Sequence, residues 1–316
     1  MHAAVVNVLG EPPKYQTFPD PELQQGEVLV KVKAIGLHPV VKAIASGAHY
    51  ASGGGLPAVP GVDAVGELPD GRRVYFGMVR KPWGTMAELA AASPDWMIEL
   101  PAGIESATAA AIANPGMSAW VSMKYRAELQ TGETVLILGA TGVAGQLAIQ
   151  TARLMGAKRV IAAGRNVGAL AQSGVDAVIN LTEPEETIAE ALAREAANGI
   201  DVVIDYLWGR PTELTLAALA KGFKATATRR MRLIEVGQSA GKDITLPAEI
   251  LRSVDLTLKG SGFGSAPLKE IFAAVPELFN RAAAGKLTID VEQVPLAAVE
   301  SAWSRVEKGK RIVFSV

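Results

Sequence analysis

Residues 134–166 constrain the fold more than any other part of this 316-residue chain. The apolar run Thr134–Leu138 predicts a buried parallel strand. A glycine-rich turn, residues 139–145, follows it, and apolar residues at helical spacing then predict a helix over Val143–Met155. A second strand is predicted at Arg159–Ala163. Strand, tight glycine turn, helix and strand form the unit that holds a dinucleotide pyrophosphate on a helix N-terminus.

The glycines of this turn lie at 139, 142 and 145, so Ala140 stands where the usual G-x-G-x-x-G pattern has its first glycine. Glycine allows the backbone to turn sharply and to approach phosphate oxygens closely. A glycine-rich turn that binds nothing would also fit the triplet, but the flanking strands and helix favour the dinucleotide interpretation. The cofactor-binding residues predicted for this turn are Ala140, Thr141, Gly142, Val143 and Ala144.

The end of the second predicted strand indicates which dinucleotide would bind. NAD-binding units usually carry Asp or Glu there, which accepts hydrogen bonds from the ribose 2′-hydroxyl. This chain has no acid between Gly156 and Asp176, and Arg165 stands at the strand end, between Gly164 and Asn166. A guanidinium binds a 2′-phosphate that a carboxylate would repel. We therefore predict NADPH as the preferred cofactor, with a solvated surface arginine as the alternative.

Composition bounds the remaining possibilities. The length suggests two domains or one large one, and 49% hydrophobic with 5% aromatic residues predicts an α/β core of small aliphatic side chains. A net charge of −1 gives no electrostatic reason to expect nucleic acid as a partner. The absence of cysteine excludes disulfides and thiolate nucleophiles. No stretch reads as a signal peptide or a membrane span, so we expect a cytoplasmic protein without a membrane partner.

The first hundred residues are predicted to be β-rich, with proline and Asp-Gly turns between short strands. A short helix is predicted over His38–Ser46. Helical patterning runs from Ile104 to about Leu129, with a break expected at residues 114–116 because proline interrupts helices. The strands predicted here are Ala3–Val8, Glu27–Ile35, Ala64–Glu67, Arg73–Phe76 and Ala87–Ala91.

An α/β alternation continues to about residue 260, and four further strands bring the count to six, as in a complete doubly wound sheet. Beyond Gly262 the pattern changes. We therefore expect residues 116–261 to form a nucleotide-binding domain, inserted into a domain made of residues 1–115 and 262–316. The further elements are strands at Ala177–Asn180, Asp201–Asp205, Met231–Val236, Leu256–Lys259 and Arg311–Val316, and helices at Pro184–Ala197, Thr212–Ala220, Pro267–Ala284 and Ala297–Glu307.

Four local sequences resemble those of the medium-chain dehydrogenase/reductase superfamily, specifically its zinc-free quinone oxidoreductase branch. Residues 56–66 resemble the family segment P-x-x-P-G-x-E-x-x-G, and residues 84–88 resemble G-S/T-x-A-E. GATGVAG at 139–145 and LKGSG at 258–262 lie where the family has its pyrophosphate turn and its return to the catalytic domain. The resemblance implies an α/β fold, with a GroES-like β-rich catalytic domain and a doubly wound parallel-sheet (Rossmann) domain that binds NADPH.

The resemblance also implies residues near the nicotinamide. Tyr50 resembles the tyrosine of the family segment S-G-x-Y, displaced by one residue, and is the candidate proton donor or else a wall of the substrate pocket. His38 stands where the family commonly has a cofactor-contacting asparagine, so it is a candidate cofactor contact, whereas Val41 replaces the family's aspartate. Ser118 matches the threonine of a helix that faces the pyrophosphate. Val62 stands where the zinc enzymes carry a histidine ligand, and with no cysteine we predict no metal site.

Ligands of doubly wound sheets lie beyond the carboxyl ends of the strands. A turn or core role is the alternative at each such position. Trp208 is expected to border the substrate pocket, and the basic residues 228–232 to be solvated surface. The other cofactor-binding residues predicted by this rule are Gly164, Arg165, Asn166, Tyr206, Leu207, Gly237, Gln238, Ser261, Gly262 and Phe263.

The resemblance implies an NADPH-dependent enzyme that transfers hydride to quinones or related electron-poor carbonyl compounds. Reduction of an enone or enoyl C=C bond is one alternative, and a non-catalytic NADPH-binding or sensing protein is another. A short-chain dehydrogenase is excluded, because the glycine turn begins about 130 residues into the chain and no tyrosine has a lysine four positions later. A homodimer is expected, through the edge of the strand at residues 256–260.

Overall fold

A computed structural model describes residues 1–49, 52–222, 230–262, 264–305 and 309–316. The chain forms two compact units: unit 1 comprises Met1–Asn114 and Val275–Val316, and unit 2 comprises Pro115–Ala274. No helix among the described residues is long and apolar enough to cross a membrane.

Strands and helices are numbered in chain order. The strands are β1 (His2–Val5), β2 (Lys14–Thr17), β3 (Val28–Gly36), β4 (Asp63–Glu67), β5 (Arg73–Gly77), β6 (Leu89–Ala92), β7 (Met97–Glu99), β8 (Thr134–Leu138), β9 (Arg159–Gly164), β10 (Ala177–Asn180), β11 (Val202–Asp205), β12 (Met231–Glu235), β13 (Leu256–Gly260), β14 (Val291–Pro295) and β15 (Arg311–Ser315). The α-helices are α1 (Pro39–Ala45), α2 (Ser106–Val121), α3 (Val143–Leu154), α4 (Val167–Gln172), α5 (Glu185–Asn198), α6 (Gly209–Gly222), α7 (Ala248–Ser253), α8 (Leu268–Ala283) and α9 (Val299–Trp303).

Unit 2 is built on a six-stranded parallel sheet. Its strand order is β10-β9-β8-β11-β12-β13, so the first three strands run outward in one direction and the next three in the other. The order reverses between β8 and β11, which is where such sheets bind ligands. Alternate residues of β8 fill two cores: Val135 and Ile137 pack on one face of the sheet, Leu136 and Leu138 on the other. The predicted doubly wound sheet is confirmed.

Unit 1 contains a seven-stranded sheet with the path β14-β15-β3-β4-β5-β7, in which β6 also pairs with β3. Strand β15 pairs antiparallel with β3 and parallel with β14, so the end of the chain completes the sheet that the first hundred residues begin. Gly66 is required where β4 pairs with β3, because a Cβ there would lie 2.3 Å from Val30 Cγ1 and 2.8 Å from the Lys31 carbonyl oxygen. The apolar side chains of this sheet and of β1 form one buried cluster.

Some sequence predictions were wrong. The helix break expected at residues 114–116 does not occur: α2 continues through Pro115 and runs into a π-helical turn at Ser122–Arg126. Proline removes one helical hydrogen bond, and buried neighbours on both sides, such as Ala113 and Ala119, hold the helix together. Strand β2 was missed because its residues are polar and lack apolar alternation. The last predicted helix, Ala297–Glu307, ends earlier, at Trp303, and its residues 306 and 307 lie outside the described residues.

The basic residues 228–232 are not all solvated surface. Residues 228 and 229 lie outside the described residues. Arg232, on β12, is buried, pairs with the Glu133 carboxylate and donates from Nη1 to the Ala127 carbonyl oxygen at 3.1 Å. A buried guanidinium needs such partners, and the sequence pattern does not show that they are close.

Candidate functional site

The glycine turn (residues 139–145) is anchored to the end of strand β9. The amide N–H groups of Gly139 and Ala140 both donate to the carbonyl oxygen of Ala163, each at 2.9 Å. Gly139 has a φ of +85°, a conformation that residues with a Cβ rarely adopt. The Gly142 N–H donates back to the Gly139 carbonyl at 3.1 Å. Backbone hydrogen bonds therefore fix the turn against the end of β9.

Two other glycines allow close packing around the glycine turn. A Cβ on Gly145 would lie 2.3 Å from the Gly139 carbonyl oxygen, so α3 can cross the turn at this distance only with glycine. A Cβ on Gly164 would lie 2.8 Å from Thr141 Cγ2, which brings the end of β9 against the turn. At Gly142 the added atom would meet its nearest neighbour, the Gly139 oxygen, at 3.5 Å, an ordinary contact.

The N-terminus of α3 offers donors without acceptors. Its N-cap, Gly142, makes no side-chain cap, and the first turn carries no acidic residue. The first helical hydrogen bond is donated by Gln146 to Gly142, and the amides of Val143, Ala144 and Gly145 have no acceptor in the described part of the chain. Free amides and the helix dipole together favour an anion such as phosphate. The residues present therefore fit a dinucleotide pyrophosphate.

The residues at the end of β9, 164–166, make different contacts. Arg165 is exposed and has no ion pair or hydrogen bond with any described residue. The Asn166 side chain accepts a hydrogen bond from the Ala169 N–H at 3.1 Å and so caps α4. Gly164 lies against the glycine turn. This arrangement leaves an unpartnered guanidinium, and no carboxylate, at the strand end that would face a ribose 2′-substituent.

A buried carboxylate shapes the loop after β11. Asp205 is fully buried; its Oδ1 accepts from the N–H groups of Leu207 at 2.8 Å and Trp208 at 3.0 Å, and its Oδ2 accepts from Thr212 Oγ1 at 2.5 Å. Burial raises the pKa of Asp205, and these three hydrogen bonds oppose the rise. Trp208 has a φ of +55°, an uncommon conformation for a residue with a large side chain. Sequence reasoning missed Asp205, although an Asp at the end of an apolar strand commonly accepts bonds from the amides that follow.

The loops after β8, β11 and β12 meet at the reversal of strand order. An added Cβ on Gly139 would lie 3.1 Å from Leu207 Cδ2 and 3.3 Å from Tyr206 Cβ. On the other side, an added Cβ on Gly237 would lie 3.2 Å from the Tyr206 carbonyl oxygen, which also accepts from Ser239 Oγ at 2.9 Å. The structure thus brings Tyr206, Leu207 and Gly237 together with the glycine turn.

Three serines extend this grouping, and we call them the serine row: Ser118, Ser122 and Ser261. Ser122 Oγ donates to the Ser118 carbonyl oxygen at 2.6 Å and lies 2.9 Å from Ser261 Oγ. Burial raises the pKa of the Tyr206 phenol, whose buried oxygen has no hydrogen-bond partner among the described residues. Gly262 lies next in sequence, and its N–H donates to Ser265 Oγ at 2.8 Å. Ser122, which sequence reasoning did not single out, therefore links Ser118 to Ser261.

A cavity of about 350 Å³ opens at the carboxyl ends of β12 and β13. Burial raises the pKa of the Glu235 carboxyl group in its wall, and the charge of Asp205 raises it further. The sequence-predicted residues Trp208 and Gln238 both border this cavity. The complete set of lining residues is Trp208, Glu235, Gln238, Lys242, Leu258, Lys259 and Gly260.

In unit 1, His38 is buried in what we call the imidazole cluster: His38, Asp63 and Tyr75. His38 Nε2 lies 3.3 Å from Asp63 Oδ1, and the Tyr75 hydroxyl donates to Asp63 Oδ2 at 2.7 Å. Burial, followed by the Asp63 charge, holds the pKa of Tyr75 well above its usual value, so Tyr75 remains a phenol. A contact between His38 and a cofactor stays a prediction. Tyr50 and Phe263, two further predicted site residues, lie outside the described residues.

The described residues contain no group of three or more His, Cys, Asp or Glu side chains that could hold a metal ion.

The chain is similar to several known proteins. A family model described as "Zinc-binding dehydrogenase" matches residues 143–281. The probable NADPH-dependent quinone reductase of Emericella nidulans is 27% identical over 99% of both chains, and the quinone oxidoreductase of Sus scrofa is 35% identical over 58% of both. The solved quinone oxidoreductase of Thermus thermophilus, also studied as its complex with NADPH, is 29% identical and superimposes with a TM-score of 0.78 over 100% of both chains.

The strand order of unit 2 and its glycine turn define a protein with a Rossmann-type dinucleotide-binding sheet. The chain belongs to the medium-chain dehydrogenase/reductase superfamily, in its quinone oxidoreductase branch. The fold class and family expected from the four sequence segments are confirmed.

Proposed function

We propose that this protein is a zinc-independent, NADPH-dependent reductase of quinones or related electron-poor carbonyl compounds. It is an oxidoreductase, and its cofactor is NADPH, as the names of the Emericella nidulans and Thermus thermophilus proteins support. The observation that carries the proposal is the N-terminus of α3, where three amides lack acceptors on a turn that only glycine allows. Arg165, exposed at the end of β9, supports NADPH over NADH.

We assign NADPH binding to the residues that the sequence predicts for it, several of which lie around the reversal of strand order in unit 2. The amides of the glycine turn would hold the pyrophosphate, and the Arg165 guanidinium would hold the 2′-phosphate. The proposed cofactor-binding residues are His38, Ser118, Ala140, Thr141, Gly142, Val143, Ala144, Gly164, Arg165, Asn166, Tyr206, Leu207, Gly237, Gln238, Ser261, Gly262 and Phe263.

Bound NADPH supplies a hydride, and the substrate oxygen that becomes basic then takes a proton. We assign that proton to the Tyr50 phenol, because a phenol can hydrogen-bond an oxygen on which negative charge develops. Replacing Tyr50 with Phe is expected to lower turnover on quinones while leaving NADPH affinity unchanged. Unchanged turnover on every accepted substrate would leave Tyr50 only a role in the pocket wall.

Zinc independence rests on the donor set of the sequence. The chain has no cysteine, and Val62 replaces the histidine that the resemblance places among the zinc ligands. Turnover is therefore expected to survive dialysis against a chelator. A loss of activity that added zinc restores would contradict this part of the proposal.

We also propose a cytoplasmic homodimer that pairs through β13. This strand is the last of its sheet, and within the described residues no strand pairs with its outer side. An unpaired edge invites pairing with a second copy. Light scattering on the purified protein tests this proposal, which a monomer mass at micromolar concentration would contradict.

The function itself is tested by following the absorbance of the reduced cofactor with a panel of quinones and enones. Oxidation of NADPH by the quinones, and slower oxidation of NADH at equal concentration, is the expected result. Faster turnover with the enones would favour C=C reduction. Saturable NADPH binding without turnover on any substrate would favour a sensing protein.

A further inference from the structure

The cavity of about 350 Å³ at the carboxyl ends of β12 and β13, which we call the β12–β13 cavity, lies entirely within unit 2. Two loops that contact each other form part of its wall. The Ala240 N–H donates to the Leu207 carbonyl oxygen at 2.7 Å, which ties the loop after β12 to the loop after β11. A Cβ on Gly209 would lie 3.0 Å from the Ala240 carbonyl oxygen, so the two loops also pack closely. The cavity is therefore preformed by the strand ends.

The apolar walls of the β12–β13 cavity come from Trp208 and Leu258. Both side chains pack against the core on one face of the sheet, which holds them in place. The Trp208 N–H also donates to Asp205 Oδ1 at 3.0 Å. An indole and a branched aliphatic side chain together suit a flat ring system, and sites for such ligands have volumes of about 300–1,000 Å³.

Two charged side chains at the β12–β13 cavity, Glu235 and Lys242, make no hydrogen bond or ion pair with any described residue. Burial raises the pKa of the half-buried Glu235 carboxyl group, because part of its hydration is lost. Lys259, by contrast, is engaged: its Nζ donates to the Arg126 carbonyl oxygen at 3.3 Å and lies 3.8 Å from Glu128 Oε1. The cavity thus offers one acceptor and one donor to a ligand.

We propose that the β12–β13 cavity binds the ring system of the substrate and selects quinones that carry a hydroxyl group, with the hydroxyl donating to Glu235 and a quinone oxygen accepting from Lys242. The proposal rests on the quinone reductase function proposed above and names the substrate class. The cavity adjoins cofactor residues proposed for unit 2, because Gln238 lines it and Leu207 directly precedes Trp208.

The signs of the two charged groups favour this class over other quinones. A quinone oxygen only accepts hydrogen bonds, so it needs a donor such as the Lys242 ammonium. A ligand hydroxyl restores a donor to the Glu235 carboxylate, and such a charge-assisted hydrogen bond is stronger than one between neutral groups. Glu235 lies in register with the buried Asp205, so an acidic substituent at this end would meet two carboxyl groups.

Equilibrium dialysis of the full-length protein without cofactor tests the binding. The ligands are two naphthoquinones of equal size, one with a hydroxymethyl group on its second ring and one with an ethyl group at the same position. The wild type is expected to bind the hydroxymethyl compound about tenfold more tightly, the size of one hydrogen bond to a charged group. Glu235→Gln is expected to remove most of this preference. Glu190→Gln, at an exposed carboxylate of α5, is the matched control and is expected to retain it.

Lys242→Met tests the other end of the ligand. Both naphthoquinones have carbonyl oxygens, so this variant is expected to weaken both by about fivefold, whereas Lys158→Met, at the amino end of β9, should weaken neither. Equal wild-type affinity for the two quinones, a hydroxyl preference that survives in Glu235→Gln, or unchanged affinity in Lys242→Met overturns the proposal. The wild-type comparison decides even where a variant does not fold.

The consequence for turnover is read from kcat/KM of the two quinones with NADPH. The wild type is expected to favour the hydroxymethyl compound by about tenfold, mainly through KM, and Glu235→Gln is expected to lose most of this ratio. The same ratio in both proteins contradicts the substrate role of the cavity. If neither quinone oxidises NADPH, the proposed function fails instead, and the dialysis result stands apart from it.

Discussion

The glycine turn of unit 2 is built from backbone groups, whereas the imidazole cluster of unit 1 is built from side chains. The turn presents backbone amides, and its specificity lies in the missing Cβ atoms of Gly139 and Gly145. The imidazole cluster presents side chains that three separate strands bring together, and its backbone only makes room for them. The difference teaches that a backbone site depends on local sequence, whereas a side-chain site depends on strand pairing.

The largest expected effect is at Gly145, where the added Cβ of Gly145→Ala would meet the Gly139 carbonyl at 2.3 Å. Because the atoms that this Cβ would meet belong to the backbone and cannot rotate away, we expect a loss of about 3 kcal/mol in the free energy of unfolding. Gly142→Ala is the matched control, since its Cβ would sit at 3.5 Å, and should cost less than about 1 kcal/mol. Urea denaturation measures both. Equal losses would show that Gly145 is not specially constrained.

Arg165→Ala tests the side chain that we propose selects NADPH over NADH. Loss of a charge-assisted hydrogen bond to the 2′-phosphate is expected to reduce the preference for NADPH over NADH by about ten- to a hundredfold. Lys158→Ala, at the opposite end of β9, should leave the preference unchanged. Titration of both dinucleotides against each variant gives the ratio. A preference that survives in Arg165→Ala would mean that Arg165 is an ordinary solvated surface residue.

A smaller effect is expected in the imidazole cluster. Tyr75→Phe removes the hydroxyl that donates to Asp63 at 2.7 Å and should lower the free energy of unfolding by about 1–2 kcal/mol. Tyr15→Phe, at a half-buried tyrosine stacked on His2, is the control and should be close to neutral. Thermal or urea unfolding distinguishes the two. A neutral Tyr75→Phe would mean that the bond to Asp63 contributes nothing to the cluster.

The smallest expected effect is on the pH dependence of stability, which should have opposite signs for two carboxylates of unit 2, Asp205 and Asp176. Burial raises the pKa of Asp205 in the folded protein, so the folded state binds more protons than the unfolded state above about pH 4, and stability falls as pH rises. At Asp176, burial is outweighed by hydrogen bonds from Val160 and Arg153, its pKa is lowered, and stability falls as pH drops. Relative to the wild type, Asp205→Asn should therefore gain stability as pH rises from about 4 to 7, and Asp176→Asn should gain as it falls. Unfolding midpoints across this range measure both, and the same sign for the two variants would contradict the assignment.

The glycine turn and the imidazole cluster also differ in how much of each could be predicted from the sequence. Strand β8, the glycine turn and α3 follow one another along the chain, so apolar period and glycine position were sufficient to predict them. The pairing of His38 with Asp63 depends on the register of β4 against β3 and β5, which local pattern does not contain. The same reason hid the serine row that links Ser118 to Ser261. At Pro115 the tertiary packing of α2 overrode the local signal.

The most direct test of the account is calorimetric titration of the full-length wild type with NADPH and, separately, NADH. Phosphates held at the N-terminus of α3, with Arg165 beside them, predict saturable NADPH binding that is at least about tenfold tighter than NADH binding. No heat and no fluorescence change with NADPH up to about 1 mM would contradict the central claim, since the amides of the glycine turn would then hold no dinucleotide.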